Sequence, residues 1–388
     1  MEEKGLLSKV KALDWECTGA DTQYLTHSIH RYSGKFIPQI GNQVILLLTE
    51  PGELVLDPYC GSGTVLLECS LAGRRSIGID LNPLAVLISR VKTKPVEKAK
   101  LENFVHAMEA HANPLLKEPR LRLFGQSQVE PQDLRDRARR DPRWSDAWYR
   151  KWFKDEVRLE LIAIHQQILT EPDQDCRDIA LVAFSDILRK CSNANPSYPN
   201  VMFDRNRGKP PAATPEFIKK LRQIAWSVSE LEARLVDMSI PHVVWGKAQR
   251  TGLDNCSVDA IITHPPYIGS IPYAEYGLLS LVWLGYDPKV IDEQLTGGRR
   301  QSSDVVQRFE LELYEMFRES LRVLKPGRNL FMLLGNPVVR GTRVDLVEMA
   351  KNIASSVGFH FAAAQERKGT NRRANLMSRE TLLFFRKN

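Results

Sequence analysis

No apolar run in the chain approaches the roughly 18 residues that a membrane-spanning helix requires, so the sequence offers no such helix. The first residues, MEEKGLLSKVKALDWE, are charged and lack the apolar core of a secretory signal. Cysteine is scarce and unpaired: six residues, at 17, 60, 69, 176, 191 and 256, show neither the spacing of a zinc site nor a disulfide framework. A cytoplasmic protein without a structural metal is therefore expected. Two phosphate-cradling fingerprints are also missing, GxGxxG and GxxxxGK[ST], which argues against a dinucleotide dehydrogenase and a P-loop NTPase.

What is present is ordinary for a folded protein. Hydrophobic residues make up 43% and charged residues 26% of 388, enough to exclude wholesale disorder. The length exceeds one typical domain, so one large domain with an insertion, or two domains, is expected. The net charge of +7 permits a polyanionic partner, because Lys and Arg gain affinity by releasing phosphate counterions.

The first informative segment is ELVLDPYCGSGT, residues 53–64. ELVL reads as a short buried strand, and the apolar spacing of VLLECSLAG reads as a helix stopping at Gly73. RSIGID then reads as a second strand ending at Asp80. Strand, glycine turn, helix, strand and acid form the first half of a nucleotide-binding α/β unit. Gly61 and Gly63 would let the backbone approach a ligand where a Cβ would collide. The helix opening there would turn free N–H groups toward a carboxylate. Asp57 can meet an ammonium or an ordered water, and Asp80 can accept hydrogen bonds from two ribose hydroxyls.

DPYCGSGT and the following GIDLNPLA resemble the first two motifs of the DNA amino-methyltransferases, which typically read DPFCGSGT and GIDINP. The resemblance implies S-adenosyl-L-methionine as cofactor, held by Asp57, Tyr59, Cys60, Gly61, Ser62, Gly63, Thr64, Asp80 and Asn82. THSIHRYSGKFIPQI (26–40) resembles the segment that covers the methionine end of the cofactor, with Lys35, Phe36 and Pro38 along that edge. His27 and His30 have a spacing compatible with a metal, but no third ligand is near, so a structural or substrate-contacting role is expected.

Residues 258–267, VDAIITHPPY, read as a buried strand broken by two prolines and an aromatic. They resemble the family's catalytic motif, (S/N/D)PP(Y/F/W). That likeness implies that the side chain of His264 and the carbonyl of Pro265 accept hydrogen bonds from the target amine, that Pro266 stiffens the loop, and that Tyr267 stacks on a flipped base. An exocyclic amine is conjugated with its ring and nucleophilically weak, so catalysis rests on positioning and electrostatics. His264 departs from the pattern. A neutral imidazole has one acceptor nitrogen and can serve, whereas a protonated one cannot, so activity should fall below its pKa. A second departure follows the strand HVVWG: Lys247 stands where the family commonly carries an acid for the cofactor's adenine, so either a backbone contact near Ala248 and packing hold the adenine or cofactor affinity is reduced.

Between these sites lies a long interval, 96–239. DAWYRKWFKDEVRLELIAIHQQILTEP reads as one long helix and CRDIALVAFSDILRKCSNA as another. The interval is expected to be a helical insertion and target-recognition region within a catalytic domain of 1–95 and 240–388. Its Arg135, Arg137, Arg139, Arg140, Arg143, Arg150 and Lys151 would supply phosphate contacts or, since most of them alternate with acids, form a solvated helical surface. Trp148 and Trp152 read as core. Arg189, Lys190, Ser192 and Asn193, with the loop NPSYPNVMFDRNRGKPP, are the candidates to face DNA. The C-terminal part, YEMFRESLRVLKPGRNLFMLLGN, VDLVEMAKNIASSVGF and ETLLFFRKN, resembles the family's closing helices and strands. The fold class implied is α/β, a class I (Rossmann-like) methyltransferase with a seven-stranded, mostly parallel sheet and a large helical insertion. The partners implied are double-stranded DNA and a cognate restriction system, with no membrane and no metal. Cytosine-N4 is preferred as the target, from the GSGT turn and the Thr-x-Pro-Pro-Tyr context. Adenine-N6, a guanine amine of RNA, and an inactive recognition subunit are the alternatives.

Overall fold

A computed structural model describes residues 3–32, 34–112, 115, 131–198, 200–235, 239–268, 273–298, 302–368 and 379–388. After the helices α1 (Glu3–Ala12) and α2 (Pro38–Leu48), the chain enters strand β1 (Leu54–Asp57), helix α3 (Thr64–Leu71), strand β2 (Arg75–Asp80) and helix α4 (Pro83–Thr93). Seven helices follow: α5 (Lys98–Ala112), α6 (Pro131–Arg140), α7 (Pro142–Ser145), α8 (Ala147–Trp152), α9 (Asp155–Thr170), α10 (Gln174–Cys191) and α11 (Ala213–Arg234). Strands β3 (His242–Trp245) and β4 (Val258–Thr263) resume the sheet, then helices α12 (Tyr273–Tyr276), α13 (Leu278–Trp283), α14 (Pro288–Gln294) and α15 (Val305–Val323). The chain closes with β5 (Leu324–Leu334), a small hairpin β6 (Val338–Val339) and β7 (Thr342–Arg343), helix α16 (Leu346–Val357), β8 (Phe359–Lys368) and β9 (Arg379–Lys387).

The seven-stranded sheet runs β3-β2-β1-β4-β5-β9-β8. Its first five strands are parallel, and β9 and β8 are antiparallel at one edge. This is the Rossmann-like class I methyltransferase arrangement that the motif order implied. The order reverses between β1 and β4, and ligands of such sheets bind in the crevice beyond the strand ends at that point.

Strand periodicity decides what each face buries, because successive side chains point to opposite faces. Val55, Ile262, Phe331 and Phe384 meet Ile40 and Val44 of α2 and Val65 of α3 on one side. Leu56, Ile261, Met332 and Phe385 meet Phe317 of α15 and Ile353 of α16 on the other. Both faces are covered, which is why β4 reads as a continuous apolar run. Gly358, at φ +108°, ends α16 in the left-handed region that favours glycine.

The helices from α5 to α11 have no core of their own. Phe153, Phe184 and Phe217 share one cluster with Leu84 and Ile88 of α4 and with Leu281 and Trp283 of α13. The single long helix expected from residue 146 onward is instead two. Asp146 caps α8 by accepting from Trp148 and Tyr149 N–H, and Phe153 then leaves helical geometry at φ −132° and ψ 130°. The break lets the Phe153 ring sit fully buried, edge-on to Trp283 at 5.9 Å. Tertiary burial outweighs the local apolar spacing there. Trp152 is buried in this cluster, and Trp148 packs beside it at 6.2 Å. No helix among the described residues is long and apolar enough to cross a membrane.

Candidate active site

Beyond the ends of β1, β2, β3 and β4 lies a cleft of about 570 Å³. Its walls include Tyr59, Gly61, Asp80, Lys247, Ala248, His264 and Pro266, drawn from both motif regions of the sequence. Tyr32, Gln249, Tyr273 and Thr296 also line it.

The glycine turn is fixed from below by Asp80. One carboxylate oxygen accepts from Gly61 N–H at 2.9 Å and the other from Asn82 N–H at 2.8 Å. Burial pushes the Asp80 pKa up to about 6, and those backbone donors oppose the rise. Asp57 is 3% exposed, and burial pushes its pKa up to about 7 despite hydrogen bonds from Thr263 Oγ1 at 2.9 Å and Tyr59 N–H at 3.2 Å. The Thr263 contact ties the end of β4 to the end of β1, so the two motif regions are positioned by one side-chain pair.

The two turn glycines serve different ends. Both have positive φ, +51° at Gly61 and +77° at Gly63. A Cβ at Gly61 would meet Tyr32 at 3.6 Å, across the cleft. A Cβ at Gly63 would strike the Ser89 hydroxyl and approach Ser89 Cα to 3.1 Å. Gly63 is therefore required for the close packing of α3 on α4.

Several other expected cofactor contacts lie outside the cleft. Cys60 is buried against Gly78, Ser62 accepts from the fully buried Lys92 amine at 3.1 Å, and Thr64 is a buried first residue of α3. Asn82 caps α4 by accepting from Leu84 N–H. Lys35, Phe36 and Pro38, with Thr64, line a second hollow instead. The Lys35 amine turns back onto the carbonyls of His27 at 2.9 Å and His30 at 2.6 Å, and its burial pulls the pKa down to about 8. Those carbonyls end a short 3₁₀ turn and need donors, which is what draws a flexible lysine inward.

His27 and His30 are held apart. His27 Nε2 lies 2.9 Å from Glu68, and His30 Nε2 lies 2.8 Å from the Ser185 hydroxyl. Burial lowers the His30 pKa to about 4. Among the described residues, no group of three or more His, Cys, Asp and Glu could hold a metal ion.

On the opposite wall, His264 Nε2 lies 2.7 Å from the Tyr267 hydroxyl, and Phe36 packs edge-on against the imidazole at 5.7 Å. Burial, with Arg367, lowers the His264 pKa, and Glu380 opposes. The ring is neutral at pH 7 and retains one acceptor nitrogen. Tyr267 differs from its expected place as an open stacking platform. It is 5% exposed, and its hydroxyl is engaged by Glu380 at 3.0 Å.

Lys247 and Ala248 follow β3 into the cleft. Next to them Gln249 donates to Thr296 Oγ1 at 3.2 Å and to the Glu312 carbonyl at 3.3 Å. The cleft fits S-adenosylmethionine on its own chemistry. It offers an acceptor carboxylate at Asp80, a buried carboxylate behind it at Asp57, and a glycine that keeps a Cβ out of the opening. Tyr32, Gln249, Tyr273 and Thr296 were not legible in the sequence, since they come from four segments without a shared local pattern.

The four residues expected to face DNA all have partners within the chain, and of them Lys190 remains exposed. Ser192 is fully buried and donates to the Arg189 carbonyl at 2.9 Å, so it cannot reach a phosphate. Asn193 donates to the Lys151 carbonyl, Lys190 pairs with Glu216 at 2.7 Å, and the Arg189 guanidinium donates to the carbonyls of Asn195 and Tyr198. They secure the loop that follows, whose Arg205 and Lys209 are exposed. In that loop Asn200 donates to Glu275 of α12 at 3.4 Å, beside the cleft residue Tyr273. Of the arginines nearer 140, Arg143 pairs with Asp141 and lies over Trp283 at 4.9 Å, while Arg135 faces Glu156 at 3.6 Å.

Residues 19–90 match a family model described as a DNA methylase, of the N6/N4 type. The chain is 24% identical over 410 positions to the type II methyltransferase M.MvaI of Kocuria varians, covering 91% of this chain and 86% of that one. It is 40% identical over 79 residues to M.MjaII of Methanocaldococcus jannaschii, a type II methyltransferase, covering 20% of this chain and 15% of the relative. Against the type II methyltransferase M.BsoBI of Geobacillus stearothermophilus it is 23% identical over 255 residues, 62% of this chain and 49% of that one. Among solved structures, an SAM-dependent methyltransferase from Methanosarcina mazei aligns over 89% of this chain and 96% of its own, at a TM-score of 0.35 and 11% identity. At that score the sheet order, not the superposition, identifies the fold.

Proposed function

We propose that this chain, an S-adenosylmethionine-dependent amino-methyltransferase of the N6/N4 DNA methylase family, methylates the N4 amine of cytosine in duplex DNA. One observation carries the reading: His264 and Pro266 line the same cleft as Gly61, Asp80 and Lys247. An acceptor for an amine and an acceptor for ribose hydroxyls therefore share one cleft.

When bound, S-adenosylmethionine supplies an electrophilic methyl group on a sulfonium centre. The chain's own residues do the rest. Asp80 offers its carboxylate to ribose hydroxyls, and Asp57 places a buried carboxylate behind the glycine turn. The extruded base presents its amine to the acceptor nitrogen of His264 and to the Pro265 carbonyl. Two acceptors holding the amine hydrogens turn its lone pair out of conjugation with the ring, so that attack is favoured by position and by electrostatics. A neutral His264 can also receive the proton that the amine must lose.

The GSGT turn and the context Thr263-His264-Pro265-Pro266-Tyr267 favour cytosine-N4. Adenine-N6 is the second reading, since the same acceptors suit either amine. Arg205 and Lys209, exposed in the loop that Asn200 tethers to α12, would supply phosphate contacts, with 96–239 as the recognition region. A restriction endonuclease of the same specificity is the companion this reading implies. The test is incubation with labelled S-adenosylmethionine and duplex DNA of diverse sequence, followed by digestion to nucleosides and mass spectrometry. N4-methylcytosine supports the proposal and N6-methyladenine moves it to the second reading. Methylation of RNA alone, or no product with cofactor binding intact, refutes it.

A further inference from the structure

The catalytic loop is held from behind by a chain of polar groups that starts at the far edge of the sheet. Glu380 of β9 and Arg367 of β8 face each other as cross-strand partners and form an ion pair. Arg367 is 2% exposed and also donates through Nε to the Trp15 carbonyl at 2.9 Å. The other oxygen of Glu380 accepts from the Tyr267 hydroxyl at 3.0 Å, and the same hydroxyl oxygen lies 2.7 Å from His264 Nε2.

Hydrogen counting along this chain has one outcome. A phenol carries one hydrogen, and a carboxylate paired with a guanidinium accepts only. The Tyr267 hydrogen goes to Glu380, so the contact with His264 requires a hydrogen on the imidazole Nε2. In a neutral imidazole the remaining nitrogen, Nδ1, is then the acceptor. Reversing the tautomer would make Nδ1 a donor, which cannot hold an amine hydrogen.

We infer that Glu380, acting through Tyr267, is a positioning residue that fixes His264 in the Nε2-protonated tautomer and so makes Nδ1 the acceptor for the target amine. The inference rests on the proposed role of His264 and deepens it. It also accounts for the burial of Tyr267, whose hydroxyl is held between two side chains. The hydrogen bond on one imidazole nitrogen sets the role of the other, and where such a histidine ligates a metal, losing that partner changes affinity or activity by about 10–100-fold, the scale expected here.

The test reads the tautomer directly. ¹⁵N-histidine spectra of the full chain, with His264 assigned by difference against His264→Asn, are expected to show a protonated Nε2 and a bare Nδ1. In Tyr267→Phe, which keeps the ring and loses the hydroxyl, the two tautomers should mix. Its kcat should fall about 10–100-fold with the KM for S-adenosylmethionine within about twofold. Glu380→Gln should shift the same resonances without touching His264. A protonated Nδ1 in the parent overturns the inference, as does a Tyr267→Phe protein with unchanged tautomer and kcat. Absence of any methylated base beside the expected tautomer would instead count against the proposed function, so the two failures are distinguishable.

Discussion

Asp57→Asn exchanges a buried carboxylate for an amide of nearly the same shape. The amide oxygen can still accept from Thr263 Oγ1 and Tyr59 N–H, so the tie between β1 and β4 survives. What disappears is the ionisation. Burial lifts the Asp57 pKa from the usual 3.8 to about 7, and a tenfold change in a protonation equilibrium is worth about 1.4 kcal/mol. Below pH 4 the carboxyl is protonated in both folded and unfolded chains. Between pH 4 and 7 the unfolded chain ionises first, so the folded state loses stability as pH rises, and above pH 7 the loss is complete at about 4 kcal/mol. The asparagine variant carries no such loss. Between pH 5 and 8.5 it should gain on the parent by about 2–3 kcal/mol, read from urea unfolding of the ligand-free proteins at each pH. Parallel stability curves over that range would refute the reasoning. The same substitution should weaken binding of S-adenosylmethionine, which carries positive charge. In the parent, affinity should rise with pH through about 7 as the carboxylate becomes available, and the variant should lose that dependence.

Four further outcomes follow. Gly63→Ala forces a side chain into left-handed backbone and against Ser89, whereas Gly252→Ala meets the same backbone condition at φ +74° with open space around it. The second should cost about 1–2 kcal/mol from backbone alone and the first clearly more by thermal melting; equal losses would remove the packing argument. His264→Ser, which keeps an acceptor, should retain more activity than His264→Ala, for which a loss of about 100–1,000-fold in kcat is expected. Because burial and Arg367 hold the imidazole pKa down, the parent's rate should drop at a pH below the usual histidine value, and a drop centred at the unshifted value would contradict that placement. Joint replacement of Arg205 and Lys209 by Ala should lower the salt dependence of DNA affinity by about two phosphate contacts, while Lys190→Ala, whose partner is Glu216, should leave it unchanged; the reverse result would put the phosphate contacts on α10.

The parts of the site that were legible in the sequence are those whose chemistry is local in the chain. A strand, a turn needing positive φ at Gly61 and Gly63, and an acid 23 residues beyond Asp57 at Asp80 repeat on paper the order they have in space. The fold was legible for the same reason, since buried strands and their crossover helices announce themselves by period and length. Local reading failed where a long or polar side chain had a choice of partners. Lys35 was free to reach a ligand and instead satisfies two carbonyls at the end of a turn. Ser192 sits at a basic helix end that looks exposed on paper, yet α10 packs it fully inside. Phe153 left its helix because a tryptophan 130 residues later offered a better-packed site. The deepest case is His264, whose substitution for the family's usual acceptor reads in isolation as a loss. Its partner through Tyr267 is Glu380, 113 residues on from that tyrosine and at the start of the closing strand β9, far along the chain from both motif regions. An imidazole makes a dependable acceptor only when something else holds its second nitrogen. The departure at 264 and the carboxylate at 380 are therefore one feature, and only the antiparallel edge of the sheet brings its two halves together.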